Sequence, residues 1–376
     1  MKKLCILCIA SIALLTSCNE NYNTVIVSND GYAIDWNAAA DSSTTGLITN
    51  FWNPTKQYFN DATSGSNFQY WPQAHGLDVL VDAYLRTNDA KYKTYFDQWY
   101  AGVQVGNGGS FINYFYDDME WNALALLRTY DATKDDKFKT AALTVWTDIQ
   151  TGWNSNGGGG ISWNKGSLMS KNACSNGPAC ILAARLFQQF GDTVNKIWAL
   201  KIYDWEKSTL FDPSSGAVND NLNVATGVIS TYVATYNTGT FIGSAVELYT
   251  ITKDKSYLND AVKAANYSMN ELTSNRILNT EGTGDLALFK GVFVRYFTEL
   301  IQCPGLDAAT KTRLVLFLKY NANELWYSGT NKHFVTFTSN WTTAPNFLSE
   351  TELNAQLSGC MLIESAALLD KAGDFK

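Results

Sequence analysis

Histidine is almost missing from this sequence of 376 residues: only His75 and His333 occur. That leaves little room for His-based metal sites or for a triad with an imidazole base. Charge is scarce as well, at 17% of residues, and no basic block appears anywhere. With a formal net charge of −7, this argues against nucleic acid or an anionic membrane surface as a partner. Proline is limited to six residues, most of them at segment ends, and alternating strand patterns are nearly absent. No group of residues has the spacing of a metal site. The run Gly157 to Gly160 is no phosphate cradle, because no strand precedes it and Lys165-Gly-Ser lacks the required order. Neither metal nor cofactor is expected, so an enzyme of this composition would rely on carboxylates. What the chain does have is apolar and flat: 46% hydrophobic residues, with 12 Trp, 20 Tyr and 19 Phe. This rules out disorder and suits a large core, a neutral ligand that stacks on rings, or both. The length allows two or three domains of roughly 150 residues, or one large helical or barrel domain.

The N-terminus addresses the compartment. Met1-Lys2-Lys3 is followed by an apolar run from Leu4 to Leu15. That run is too short for the roughly 20 residues of a membrane-spanning helix and matches the core of a secretory signal. Leu15-Thr16-Ser17-Cys18 resembles a bacterial lipobox, which implies cleavage before Cys18 and lipid attachment there; the plainer alternative is an ordinary signal with an incidental cysteine. Residues 1–17 are thus expected to be a lipoprotein signal, 18–40 a polar tether and 41–376 a single domain. The mature protein is expected in the cell envelope, facing the periplasm or on the outer surface, touching membrane only through its anchor. Of the remaining cysteines, Cys174, Cys180, Cys303 and Cys360 form no disulfide scaffold. Cys174 and Cys180 are near enough in sequence to bridge, but are read as buried free thiols.

The rest of the chain reads as helices at the 3.6 period. Twelve segments start near Thr44, Pro72, Lys91, Asp117, Asp136, Cys174, Val194, Thr240, Ser256, Gly284, Asp307 and Leu353. A phrase recurs at the junctions: Tyr84 to Asp89 to Tyr92, Tyr130 to Asp135 to Phe138, Tyr249 to Asp254 to Tyr257, and more loosely Phe187 to Asp192. An aromatic closes one helix, a polar turn offers a capping Asp, and an aromatic opens the next. Repeats of this length indicate helical hairpins in an array. Six hairpins predict an all-α, closed (α/α)6 barrel in preference to an open solenoid. Long segments at 106–116, 154–173, 211–239, 273–283 and 327–352 should gather at one end of that barrel. Their Gly, Asn, Ser, Thr, Trp and Tyr suit a sugar, which needs hydrogen bonds and flat faces.

The sharpest local feature is Phe111-Ile-Asn-Tyr-Phe-Tyr-Asp117-Asp118-Met-Glu120-Trp121-Asn122. One reading is structural: Asp117 at N-cap and Glu120 three residues on make a capping box. The other is catalytic. A retaining glycosidase needs two carboxyl groups about 5–5.5 Å apart, one ionised and one protonated. Neighbours at a helix start reach that distance, and the helix terminus and an aromatic wall would push their pKa values apart.

Several motifs together resemble glycoside hydrolase family 76, the endo-α-1,6-mannanases, in its bacterial lipoprotein form. They are Tyr116-Asp117-Asp118-Met-Glu-Trp121, Gly159-Gly160-Ile161-Ser-Trp163, Lys171-Asn172-Ala-Cys-Ser-Asn176-Gly-Pro, Thr235-Tyr236-Asn237-Thr-Gly239-Thr-Phe-Ile-Gly243 and Phe289-Lys290-Gly291-Val-Phe-Val-Arg295. The resemblance implies an (α/α)6 barrel that hydrolyses the backbone of yeast-type α-mannan with retention. It makes Asp117 the nucleophile and Asp118 the acid/base. Thr238 stands where the family often has Gln, a difference that bears on a sugar contact. Motif position marks Trp121, Trp163, Asn172, Tyr236 and Asn237 as candidate sugar contacts, each with a structural alternative. Trp71 and His75, near a helix start, could line the mouth, with a core role favoured for His75. Arg295 is read as a barrel salt bridge. A monomer is expected, with α-mannan as its partner. Two rivals remain: a non-catalytic glycan-binding lipoprotein using the same groove, and another (α/α)6 enzyme such as an unsaturated uronide hydrolase, whose acidic substrate would call for a basic groove.

Overall fold

The repeated junction phrase folds the same way each time. One residue in the left-handed region turns the chain: Asn88 (φ 55°), Lys134 (60°), Gly191 (74°) and Lys253 (61°). The N–H of each donates to the carbonyl of the aromatic four residues back, Tyr84, Tyr130, Phe187 or Tyr249, at 2.6–2.8 Å. The aspartate that follows then accepts an N–H from the next helix. Asp89 takes it from Lys91, Asp135 from Lys137, Asp192 from Val194 and Asp254 from Ser256, at 2.9–3.1 Å. The phrase is therefore a left-handed C-cap joined directly to an N-cap, which satisfies orphan groups of both helices.

The structure is a computed structural model that describes residues 33–375. The expected signal, Cys18 and most of the expected tether lie outside the described residues. Twelve α-helices occur among those described: α1 Trp36–Phe51, α2 Tyr70–Thr87, α3 Lys91–Gly106, α4 Tyr116–Thr133, α5 Asp136–Ile149 and α6 Gly177–Phe190 in the first half. The second half holds α7 Thr193–Thr209, α8 Thr235–Thr252, α9 Lys255–Glu271, α10 Phe289–Gln302, α11 Ala308–Tyr327 and α12 Leu353–Ala372. Burial sorts them: 16 of the 20 residues of α12 are buried against 6 of the 17 of α9, so α12 is an inner helix and α9 an outer one. The inner ring runs α2, α4, α6, α8, α10, α12 and closes back on α2. Five outer helices follow their inner partners in sequence. The sixth pair joins α12 to α1 from the two ends of the described chain, which closes the expected (α/α)6 barrel.

Inner helices approach closely where they carry glycine. A Cβ on Gly239 would stand 2.6 Å from the Phe293 Cα, and one on Gly291 2.7 Å from the Ser358 Cα. Both are nearer than packed atoms permit.

Four helix starts differ from the sequence reading, among them α8, which begins at Thr235 and not near Thr240. Asp35 caps α1 by accepting from the Ala38 N–H at 3.0 Å, so the helix starts at Trp36 and residues 36–40, read as tether, are helical. Short 3₁₀ turns at Ala173–Ser175 and Gly284–Leu288 precede α6 and α10 and account for their early predicted starts.

All inner helices point their N-termini to the end where the long loops lie. These loops contain strands too short to show alternation: β1 Trp52–Asn53 with β2 Tyr58–Phe59, β6 Thr273–Ser274 with β7 Ile277–Leu278, and β8 Thr330–Asn331 with β9 Thr336–Phe337. A three-stranded antiparallel sheet ties two loops together: β3 Ser170–Asn172, β4 Asn221–Asn223 and β5 Val228–Ser230, with Lys171 opposite Leu222 and Leu222 opposite Ile229. No described helix is long and apolar enough to cross a membrane.

Candidate active site

The loop before α4 is knitted by its own amides. Asn107 donates to the carbonyls of Ser110 (2.7 Å) and Ile112 (3.1 Å), and Asn113 donates to Asn107 (2.8 Å). The Tyr116 N–H then donates to the Trp163 carbonyl at 3.1 Å, which fixes the start of α4 to the following loop. Phe115 is the N-cap and no side chain caps this helix. The capping-box reading therefore fails: Asp117 sits inside the first turn, and Glu120 turns inward, fully buried with neither carboxyl oxygen partnered.

That geometry gives the two aspartates unequal surroundings. Oδ2 of Asp117 accepts from the Trp163 indole N–H at 3.2 Å and from the Cys174 thiol at 3.3 Å, while its buried Oδ1 has no partner. Burial pushes its pKa up to about 6, and the Cys174, Trp163 and backbone donors hold it from rising further. Asp118 has no such set of donors. Burial, then the charge of Asp117, then that of Asp285 raise its pKa well above the carboxylate range. Of the two, Asp118 is therefore held more strongly in the protonated form, and Asp117 ionises first. This is the division of labour that acid and nucleophile require.

The cleft above the pair is lined by rings. Trp71 and Trp121 lie 6.5 Å apart, and Tyr236 stacks on Phe289 at 3.8 Å and 13°. Trp163, 38% exposed, leans on Phe115 at 5.3 Å at the mouth. His75 lies behind Trp71 and Trp121, 5.3 and 5.2 Å from their rings. Burial lowers its pKa to about 3, so it is a neutral core group, as favoured from sequence. Asn172 lines the cleft. Asn237 does not: it is buried behind the wall, where its amide donates to Asp220 at 2.8 Å, and Asp220 faces the cleft in its place.

Asp220 and Asp285 escaped the sequence reading. The Trp71 indole donates to Asp285 at 2.8 Å, and both acids line the cleft. Their signal was slight: Asp220 is an acid in a loop expected at the mouth, and Asp285 falls just past another, where a helix was expected from Gly284. The cleft thus carries four aspartates and no Lys, Arg or His among its lining residues. A uronide would meet only repulsion there.

Buried lysines pin the surrounding loops. Lys171 donates to the Gly160 carbonyl at 2.6 Å, and burial lowers its pKa to about 8. Lys290 donates to the Ser339 carbonyl at 2.7 Å beneath the Trp341 ring, and burial lowers its pKa to about 7. Arg295 lies deep in the barrel, 3.0 Å from Asp82, as the salt bridge expected. Cys174 and Cys180 are free and buried. No group of three or more potential metal ligands occurs among the described residues.

Known proteins agree with this arrangement. The α-1,6-mannanase GH76A of Salegentibacter sp. HEL1_6 superposes with a TM-score of 0.87 at 40% identity, covering 89% of this chain and all of that one. An inactive variant of that enzyme, with two adjacent aspartates replaced by alanine, is known in complex with α-1,6-mannotetrose. Among curated relatives, a putative mannan endo-1,6-alpha-mannosidase of Schizosaccharomyces pombe is 24% identical over 297 residues, 70% of this chain and 66% of its own length. A mannan endo-1,6-alpha-mannosidase of Candida glabrata is 26% identical over 302 residues, 71% of this chain and 65% of its own length. The chain therefore spans just under two thirds of these curated relatives. The model of Glycosyl hydrolase family 76 matches residues 35–375, nearly the whole described chain. With that match and the paired aspartates at the head of α4, the chain belongs to glycosyl hydrolase family 76.

Proposed function

We propose that this chain cuts α-1,6-mannosidic bonds within mannan chains with net retention of configuration. One observation carries the reading: an unequal aspartate pair forms the floor of a ring-lined cleft without a cation. The Asp117 carboxylate attacks the anomeric carbon while Asp118 gives its proton to the departing glycosidic oxygen. The C–O bond breaks as the glycosyl–Asp117 ester forms. Asp118, now a carboxylate, takes a proton from water, whose oxygen displaces Asp117 and restores both groups. The rings supply stacking faces, and Asn172, Asp220 and Asp285 supply partners for hydroxyls.

Unbranched α-1,6-mannan tests the reading. Reducing ends should appear, with oligosaccharide products first released as the α anomer. Binding by calorimetry without new reducing ends would favour the glycan-binding rival. The pH profile of kcat/KM should be a bell. Its acid limb lies near pH 6, because Asp117 must be ionised and protonates below its pKa of about 6. Its alkaline limb follows loss of the Asp118 proton, at a pKa raised well above the usual carboxylate range. A profile flat from pH 4 to 9 would remove the pair from the mechanism.

The proposal extends to the anchor. The start of α1 lies at the end opposite the cleft, where Asp41 pairs with Arg86 at 2.8 Å and Trp36 meets Phe375. A lipid on Cys18 would thus attach the chain to the envelope membrane through the end of the barrel opposite the cleft. Replacing Cys18→Ala should move the protein from the membrane fraction to the soluble one with kcat unchanged. Retention in the membrane fraction would refute the anchor.

A further inference from the structure

Resting on the proposed double displacement, we infer that Cys174 is a positioning residue for the nucleophile. Its thiol, together with the Trp163 indole, holds Oδ2 of the Asp117 carboxylate in place at the cleft. The sulfur lies 3.3 Å from Oδ2, and the Trp163 indole nitrogen lies 3.2 Å from the same oxygen. A thiol carries one proton. That proton is directed at the Asp117 carboxylate oxygen.

The backbone around Cys174 cannot easily shift. It lies in the 3₁₀ turn Ala173–Ser175 between β3 and α6. The Asn176 amide staples this turn, donating to the carbonyls of Asn172 (2.8 Å) and Ile161 (3.1 Å) and accepting from the Ile161 N–H (2.8 Å). The Ala173 N–H donates to the Asp220 carbonyl at 2.8 Å. Burial and the charges of Asp117 and Asp220 raise the thiol pKa well above its usual value. Cys174 is therefore a donor and not a thiolate, and it cannot itself compete as a nucleophile.

The groups facing Asp117 leave no substitute. From α4 come Asp118 and Glu120, from the 153–169 loop the Trp163 indole, from α8 Tyr236, and around them Asp220 and Asp285. None is cationic. Removing the thiol leaves Oδ2 with Trp163 as its one side-chain donor.

The test compares Cys174→Ala with Cys174→Ser on unbranched α-1,6-mannan, with Asp117→Asn assayed beside them. The alanine variant should lose about tenfold in kcat, the scale of one hydrogen bond to a charged group, with KM within about twofold of wild type. Its acid limb should move to higher pH by about half to one unit, because the ionised form of Asp117 has lost a donor. Serine keeps an O–H donor and should restore both quantities to within about threefold. Wild-type kcat and an unmoved acid limb in Cys174→Ala would overturn the inference, as would loss of melting temperature without any limb shift. If the alanine variant does not fold, Cys174→Val decides: it fills the space without a donor and should move the same limb upward, and an unmoved limb overturns the inference. Turnover in Asp117→Asn would instead refute the nucleophile assignment. A dead Asp117→Asn beside an unmoved limb removes only the positioning role of Cys174.

Discussion

Asp117→Asn is expected to lower turnover on α-1,6-mannan by about 10⁴-fold or more, the scale seen when a nucleophile is removed from a catalytic constellation. The fold should not suffer. The side chain is buried with one unpartnered oxygen, and burial penalises its charge, so an uncharged isostere should leave the melting temperature unchanged or slightly raised. Asp118→Asn should lose about 10²–10⁴-fold, the range of general acid–base catalysis. The two variants then part company on an activated substrate. A mannosyl fluoride needs no proton to release its leaving group, so Asp118→Asn should form the ester normally and then accumulate it, seen as a burst of fluoride. Asp117→Asn should give no burst. Near-wild-type turnover in either variant, or identical behaviour of both on the fluoride, would remove the assigned roles.

The barrel was legible in the sequence because its turns repeat a physical solution. Aromatic, left-handed residue and capping aspartate follow in one order at Tyr84, Tyr130, Phe187 and Tyr249, and each needs the others to close the junction. The aspartate pair was legible because both acids sit on one local segment. What stayed hidden depends on contacts distant in the chain. Asp285 meets Trp71 across 214 positions and Asp220 meets Asn237 across 17, with no period to announce either. Asn237 therefore read as a sugar contact, although it holds Asp220. The start of α1 was missed because its Ala, Asp, Ser and Thr residues show little amphipathic contrast. The capping-box reading failed by a small margin, since α4 begins at Tyr116 and so carries Glu120 into the core. Cys174 read correctly as a buried thiol, but only packing shows that it points at Asp117.

Asp78→Ala is expected to cost about 3–5 kcal/mol of stability, the price of leaving buried charges unpaired. Trp71, His75, Asp78 and Asp82 follow one another along the inner face of α2, leading from the cleft toward the opposite end of the barrel. There Arg128 of α4 and Arg295 of α10 converge on Asp78 and Asp82: Arg128 reaches Asp82 at 2.6 Å, and Arg295 stands 3.6 Å from Asp78 and 3.0 Å from Asp82. Burial pushes the Asp78 pKa up, but Arg295 and Arg128 outweigh it and hold the carboxyl below its usual range. Removing it leaves two guanidiniums to one carboxylate. His75, one turn away, is neutral and gives no relief. The side chain of Asp82 is 21% exposed against 7% for Asp78, so Asp82→Ala should cost less, water screening part of the loss. At roughly 2–4 °C per kcal/mol, Asp78→Ala should melt about 10 °C below wild type. A depressed folded pKa contributes stability above the unfolded value of about 4 and loses it as pH falls through the folded value. Wild type should therefore lose stability in acid along an arm that Asp78→Ala lacks. Below its melting point the variant should keep kcat within about threefold of wild type, since Asp78 lies two turns along α2 from Trp71 and is not among the residues that line the cleft, so its effect adds nearly independently. A melting temperature within about 2 °C of wild type would show that solvent already pays the cost assigned to this carboxylate. A large loss of kcat in the folded variant would show that the ion pairs also set the geometry of the cleft.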